Sequence, residues 1–455
     1  MDFLNDVILN EVFIYSLTFI LCFWLIYYYV RRENKKSAAI LEKVKLAKEE
    51  GRFEPISLHP YIDLDVCMGS GACVRACPEK DILGIVNGKA TVINATSCIG
   101  HGACFHACPV EAISLRIGTD KRGIDLPHIK PNYETNIPGV FIAGELGGMG
   151  LIKNSAEQGI SAIDHLAKGK LSSKPDGYLD LLIVGAGPAG IGAALNATKK
   201  ALSFEILEQD SLGGTVFTFP REKIVMTRPV DLPLYGKLKL HNTSKQELLN
   251  LWTKLISDYK IKVVEKTKVT EIIPQEAGGF KVLTSEGDEK FAMNVLLAIG
   301  RRGTPRKLNV PGEESAKVAY RLLEPERIFE KKILIVGGGD SAVESALLLM
   351  GKNKVTLSYR KEKFARIKAR NKDSLQDAIS SGNIQLLLNT EVEEIRADTI
   401  ILQNNANQES IYLENDLIYI FAGGELPTQF LKSVGITIDK KFGKIVKSYR
   451  KQVEG

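Results

Sequence analysis

Six of the chain's seven cysteines fall between Cys67 and Cys108, in two stretches that repeat one another. Cys67–Pro78 reads CMGSGACVRACP and Cys98–Pro109 reads CIGHGACFHACP; they lie 31 residues apart and agree at eight of twelve positions. Ile82 and Ile113 extend the match, which marks one structural unit used twice. Thiolates spaced C-x5-C-x3-C-P suit iron–sulfur clusters, whereas structural cysteines would carry no such spacing and zinc sites do not usually show it. Gly69, Gly71, Gly100 and Gly102 let backbone N–H groups approach a cluster's sulfides, and the proline after each last cysteine ends the loop.

Residues 57–117 resemble the dicluster ferredoxins, whose repeat is C-x2-C-x2-C-x3-C-P with the fourth cysteine serving the other cluster. Carried over position by position, the resemblance implies one cluster on Cys67, Cys73 and Cys108 and the other on Cys98, Cys104 and Cys77. Ser70 and His101 stand where that family has its second cysteine. Each is a candidate fourth ligand, the serine only as an alkoxide, or simply fills its loop. The clusters are accordingly [4Fe–4S] or [3Fe–4S]. Between the repeats, Ile85–Ile93 with Asn87-Gly88 predicts a short hairpin.

Two further stretches are spaced for phosphate. Leu181–Gly190, LLIVGAGPAG, is an apolar strand running into a glycine loop: Gly185 for the tight turn, Gly187 for approach to pyrophosphate, Gly190 for close packing. Glu208 follows Gly185 by 23 residues, where a ribose-binding acid belongs. Lys332–Ala342, KILIVGGGDSA, repeats the pattern with Gly337, Gly339 and Ala342. No acid closes its next strand; Arg360 and Lys361 stand there, with Arg366 beyond, and cationic groups suit the 2′-phosphate of NADP(H). A solvated basic turn is the alternative.

With the strands Phe280–Thr284 and Phe291–Ala298 and the turn at Gly300, residues 178–455 resemble the two-dinucleotide-binding flavoproteins related to thioredoxin reductase. The resemblance implies FAD in the first fold and NADPH in the second. That family ends with a segment like T-x-x-P-G-V-F-A-x-G-D, which seats the flavin. Here it occurs upstream, as Thr135–Glu145, TNIPGVFIAGE, so Gly144 and Glu145 are expected to line the flavin from a circularly permuted position. No cysteine follows Cys108, so the dithiol exchange of thioredoxin reductases has no thiols in this half of the chain. The expected activity is therefore electron transfer between NAD(P)H, FAD and two iron–sulfur clusters, to or from a redox partner; no acid–base triad is required. A membrane-bound redox sensor or an electron-transfer subunit without independent turnover is the alternative.

What must position these groups is a folded chain of 455 residues, long enough for several domains, with 44% hydrophobic and 25% charged residues. Its net charge of +6 is spread along the chain with no basic, aromatic-interleaved stripe, which argues against nucleic acid. Val12–Val30 is uncharged and nearly long enough for a hydrocarbon core of about 30 Å. Arg31, Arg32, Lys35 and Lys36 follow it, predicting a single-pass anchor with its N-terminus outside and the catalytic part cytoplasmic. A basic leader and a cleavage pattern, the marks of a secretory signal, are both missing. The expected fold class is α/β: two Rossmann-like domains preceded by a small α+β ferredoxin-like domain and one transmembrane helix. The expected divisions are an anchor at 1–32, a solvated juxtamembrane helix at 33–56, the ferredoxin-type domain at 57–117 and the displaced flavin segment at 118–170. The FAD domain at 178–310, the NAD(P) domain at 311–422 and a C-terminal return to the FAD domain at 423–455 complete them. Tethering favours a quinone or a membrane electron carrier over soluble ferredoxin or flavodoxin; membrane lipid is the other partner, and a homodimer stays open.

Overall fold

No glycine or proline interrupts residues 2–49, and the chain forms one helix, Asp2–Glu49, of 48 residues. The computed structural model describes all residues except 1, 50–52, 54, 56–57, 80, 99, 101, 121–122, 149, 170–173, 220–229, 239–242, 302–304, 365–366, 425–426 and 448–455. The helix has no break between anchor and spacer. Val12–Val30 is exposed along its length, whereas Ser37 and Ala47 are buried. Residues 33–49 are solvated on most of their surface, as expected of a spacer, but one side lies against the strand Leu83–Val86 of the hairpin formed with Lys89–Val92. Asn87 (φ 49°) and Gly88 (φ 74°) turn that hairpin in the left-handed geometry that Asn-Gly adopts readily.

Two structural units contain the chain's described elements. In the first, the cysteine repeats lie between strands His59–Ile62 and Ile113–Ile117, which pair antiparallel. Lys444–Lys447 adds a third strand beside Ile113–Ile117. Lys444–Lys447 thus joins the ferredoxin sheet, while the stretch before it returns to the flavoprotein unit: Leu431, Val434 and Ile436 pack in the core with Val140, Ile142 and Leu297, and Ile438–Lys441 pairs with Ile124–Pro127.

The second unit holds two parallel sheets of five strands each. The first runs Val263–Val264, Phe204–Leu207, Leu181–Val184, Val295–Leu297, Val140–Ile142. Strands such as LLIV are buried at every position, because a parallel sheet is covered on both faces. The second runs Val318–Ala319, Leu417–Ile420, Lys332–Val336, Lys354–Tyr359, Ile384–Leu388. An antiparallel three-stranded meander accompanies each: Val269–Ala292 with the first, Thr390–Glu414 with the second. The expected strand Phe291–Ala298 is two strands, Glu289–Ala292 in the meander and Val295–Leu297 in the parallel sheet.

Glu205, in the first sheet, is buried and pairs with Lys262 and Lys290. Burial pushes its carboxyl up, but the bonds and charges of the two lysines outweigh this and hold it below the ordinary 4.5. A depressed folded pKa contributes stability above the unfolded value that is lost as pH falls through the folded one. Glu205→Gln is expected to flatten the unfolding curve below about pH 4.5; an unchanged acid limb would show that the pair contributes nothing.

Candidate functional site

Each cysteine repeat folds into a loop ending in a short helix, Ala72–Ala76 or Ala103–Ala107. Gly71 (φ 68°) and Gly102 (φ 71°) start those helices in left-handed conformation, and Cys77 and Cys108 end them. Gly69 (φ 69°) is needed for a close approach as well: a Cβ there would lie 1.9 Å from the Gly88 carbonyl oxygen. Cys67, Cys73 and Cys108 line one small cavity together with Ser70, Ala90 and Ala112. The N–H groups of Ala90 and Ala112 donate to Cys67 Sγ (3.4 Å) and Cys108 Sγ (3.2 Å). Such bonds stabilise thiolates and tune a cluster they hold.

Burial and mutual repulsion raise two of the thiols. Cys73 is pushed up by burial and then by Cys67 and Cys108. Cys104 is pushed up to about 12 by burial, then by Cys98 and Cys77, and to a smaller extent by Cys73. Both effects favour the neutral thiols here, and a bound cationic iron centre would be what draws out their protons. Cys67, Cys73 and Cys108, drawn from both repeats and lining one cavity, are a donor set that fits an iron–sulfur cluster. Ser70 is exposed, its Oγ accepting from the Ala72 N–H (3.4 Å). His101 lies outside the described residues.

In the first dinucleotide fold, Gly185 (φ 107°) passes so near Ala298 that a Cβ would meet its carbonyl oxygen at 2.6 Å. Gly190 packs under the turn, with 1.9 Å left for a Cβ before the Gly185 carbonyl oxygen. Gly187 caps the helix Pro188–Lys199 and has open space beside it, so N–H groups and the helix dipole face that space. Glu208 is 4% exposed and accepts from the N–H groups of Ala186 (2.7 Å) and Asp210 (2.9 Å). Burial pushes its carboxyl up. Gly213-Gly214, which the sequence analysis passes over, closes this site: Gly213 N–H donates to Ala186 C=O (3.0 Å), and Gly214 (φ 53°) lies against Gly187. Two glycines five residues beyond the ribose acid are the signal that could have found it.

The upstream segment completes this fold. Val140–Ile142 is an edge strand of the flavin sheet, parallel to Val295–Leu297. Gly144 (φ 88°) follows, its N–H donating to Gln158 Oε1 (2.8 Å) and its own position leaving only 3.0 Å for a Cβ before the Ala189 Cβ. Glu145 is half-buried and folds over Gly150. Helix Ile152–Lys168 then crosses helix Pro188–Lys199 on glycines: Cβ atoms at Gly159 and Gly192 would lie 2.0 Å and 2.5 Å from Ala189 and Ala156 carbonyl oxygens. Gly300 (φ 68°) turns the chain just after Val295–Leu297.

In the second fold, Gly337 (φ 148°) sits against Phe421, and buried Ala342 fits where the first fold has Gly190. Gly339 caps the helix Asp340–Leu349 and is open on its outer side. Arg360 and Lys361 are exposed just past strand Lys354–Tyr359, and Arg366 lies outside the described residues. Ser358 is turned inward, bonded to Thr390 Oγ1 (2.8 Å). Tyr359, also missed in sequence, lies on the glycine loop: a Cβ at Gly338 would fall 2.0 Å from its ring. Its ring stacks on Phe364 at 5.0 Å and 7°.

Two Rossmann-like folds in tandem, one with a flavin-type acid and one without, define a pyridine-nucleotide flavoprotein. Residues 182–452 match the model of the pyridine nucleotide-disulphide oxidoreductases and residues 59–109 that of the 4Fe-4S dicluster domain. The first match covers more than half of the chain, which belongs to the pyridine nucleotide-disulphide oxidoreductase family. Similar proteins include the ferredoxin–NADP reductase of Ignicoccus hospitalis, 27% identical over 61% of this chain and 87% of that protein. That of Thermus thermophilus is 30% identical over 58% of this chain and 78% of its own length. The bacillithiol disulfide reductase Bdr of Staphylococcus aureus superposes with a TM-score of 0.50 at 23% identity, covering 59% of this chain and 85% of that one, which shows the fold alone. The chain is thus an FAD-dependent pyridine-nucleotide oxidoreductase with an iron–sulfur domain.

Proposed function

We propose that this is a membrane-tethered oxidoreductase that passes electrons between NADPH and a redox partner through FAD and two clusters, and that it is not a disulfide reductase. The observation that carries it is the distribution of thiols. All cysteines after the helix lie in the two cluster loops, and no cysteine occurs in the sequence of either dinucleotide fold after Cys108. Bound together, FAD and iron–sulfur clusters convert a two-electron hydride into single electrons. The chain's own part is to hold and orient: Glu208 on the ribose, the helix N-terminus at Gly187 on pyrophosphate, Gly144 and Glu145 along the flavin. Cys67, Cys73 and Cys108 hold one cluster; Cys98, Cys104 and Cys77 hold the other, with Ser70 and His101 the candidates for a fourth ligand.

The exposed run Val12–Val30 supports the tether, and the basic residues after it support a cytoplasmic catalytic part. A quinone or membrane electron carrier suits that location better than a soluble ferredoxin or flavodoxin. Anaerobic NADPH added to the purified protein should bleach the flavin and raise reduced-cluster EPR signals. Flavin that stays oxidised would sink the enzyme reading in favour of a redox sensor. NADP preference is assigned to Arg360 and Lys361: Arg360→Ala should raise KM for NADPH about tenfold, the loss of about 1.4 kcal/mol of phosphate contact, with KM for NADH unchanged. Equal effects on both would remove Arg360 from the 2′-phosphate.

A further inference from the structure

The long helix and the ferredoxin hairpin run side by side in register. Ser37 Oγ accepts from the Asn87 N–H (3.1 Å), Ile40 packs on Gly84, and Lys43 pairs with Asp81 (2.6 Å). Each step along the helix away from Val30 meets an earlier residue of the hairpin. Strand Leu83–Val86 therefore runs back towards the exposed apolar stretch, and the Asn87-Gly88 turn is its near end. Ser37 lies seven positions after Val30, a rise of about 10 Å.

The first cysteine loop is fastened at that near end. Gly69 touches Gly88, Lys89 Nζ donates to the Cys67 carbonyl (2.7 Å), and Ala90 N–H donates to Cys67 Sγ. The second set hangs from the far end. Cys77 comes four residues before Asp81, and Cys98 five residues after Ile93, whose N–H bonds the Ile82 carbonyl at 2.9 Å. Ser37 to Lys43 measures the offset between the two ends, six residues or about 9 Å along the helix.

Apolar side chains cover the near set from outside. Leu64 and Met68 are 55% and 64% exposed, and Met68 shares the cavity of Cys67, Cys73 and Cys108. We infer that the Leu64–Met68 loop rests on the lipid surface into which Val12–Val30 inserts, making Cys67, Cys73 and Cys108 the membrane-facing set. The inference rests on the tether proposed above. The bilayer is the occupant because the rigid helix directs this end of the unit towards its own apolar run. Arg31, Arg32 and Lys35, between the apolar run and Ser37, are exposed and suit anionic headgroups. Exposed Asp65 in the loop opposes them, so apolar contact carries the docking. A cluster held by Cys67, Cys73 and Cys108 would then be the one placed to exchange single electrons with a quinone dissolved in the bilayer, two electrons from NADPH and two protons from water making each quinol.

The test uses the full chain in phosphatidylcholine–phosphatidylglycerol vesicles containing acyl chains brominated near the headgroup. Trp24→Phe removes the tryptophan of the apolar run, and buried Trp252 supplies a constant background read in that variant alone. Adding Met68→Trp, or Leu64→Trp should the first lose its iron, is expected to give emission quenched about twofold, as for an apolar group seated in the headgroup boundary. Pro78→Trp, beside the second set, should be unquenched. Quenching of both or of neither, on protein that floats with the vesicles and keeps its iron, overturns the inference. Protein that does not float overturns the tether, and the inference with it.

Discussion

Gly159→Val is expected to strip FAD from the protein and lower its unfolding temperature by several degrees. Two effects oppose one another at this position. Valine is a better helix former than glycine by a few tenths of a kcal/mol, and Gly159 lies inside helix Ile152–Lys168. Its Cβ, however, would sit 2.0 Å from the Ala189 carbonyl oxygen, which is backbone and cannot rotate away. Overpacking of this kind costs about 1–3 kcal/mol where side chains can yield, and more against backbone, so the clash wins. The displaced helix would pull on Ala189, which touches Gly144, and so open the flavin cradle from both sides. Gly192→Ala, from the facing helix, should weaken FAD binding in the same sense, since its Cβ would meet Ala156 O at 2.5 Å. Flavin absorbance of the purified variants and calorimetry read the outcome. Full FAD content in both would mean that the upstream segment does not belong to the flavin site.

Cys108→Ser should copy Cys67→Ser and not Cys98→Ser, although Cys98 is its neighbour in sequence. In the folded unit Cys108 shares a cavity with Cys67 and Cys73, whose lining does not include Cys98, Cys77 or Cys104. Serine offers an oxygen that must lose its proton to ligate, so the first set loses or loosens its iron and the second keeps it. Iron and acid-labile sulfide should fall by about half with FAD unchanged, and EPR of the reduced protein should retain one of two signals. Loss of the signal that Cys98→Ser also removes would refute the exchange of cysteines between repeats.

Much of this was legible in the chain. The doubled cysteine motif, both glycine loops and the Asn87-Gly88 turn are local: their chemistry depends on neighbours within about a dozen residues, and sequence spacing carries it. Glu208 was legible because a strand–helix–strand unit has a nearly constant length. Gly213-Gly214 and Tyr359 were missed because their roles arise across a site: each meets a glycine loop more than 20 residues away in sequence. The one covered side of the spacer at 33–49 was not legible because its Lys and Glu residues dominate the composition, while a few small or apolar positions, Ser37, Ile40 and Ala47, make up that side. The two-strand outcome at 289–297 has a similar origin, since two short apolar runs divided by Met293-Asn294 read as one.

By itself, then, the sequence determined the cofactor classes and the family's tandem fold, because thiol spacing and glycine loops are set by covalent neighbours. Only the tertiary structure decided what meets across distance. It placed the upstream strand Val140–Ile142 beside Val295–Leu297, and it put the chain's last described strand in the ferredoxin sheet. It also docked the helix to the hairpin, so that one cysteine set lies nearer the apolar run than the other. Sheet edges and helix faces accept any segment whose apolar side and backbone bonds fit, and that choice is made by packing, in which sequence order has no say.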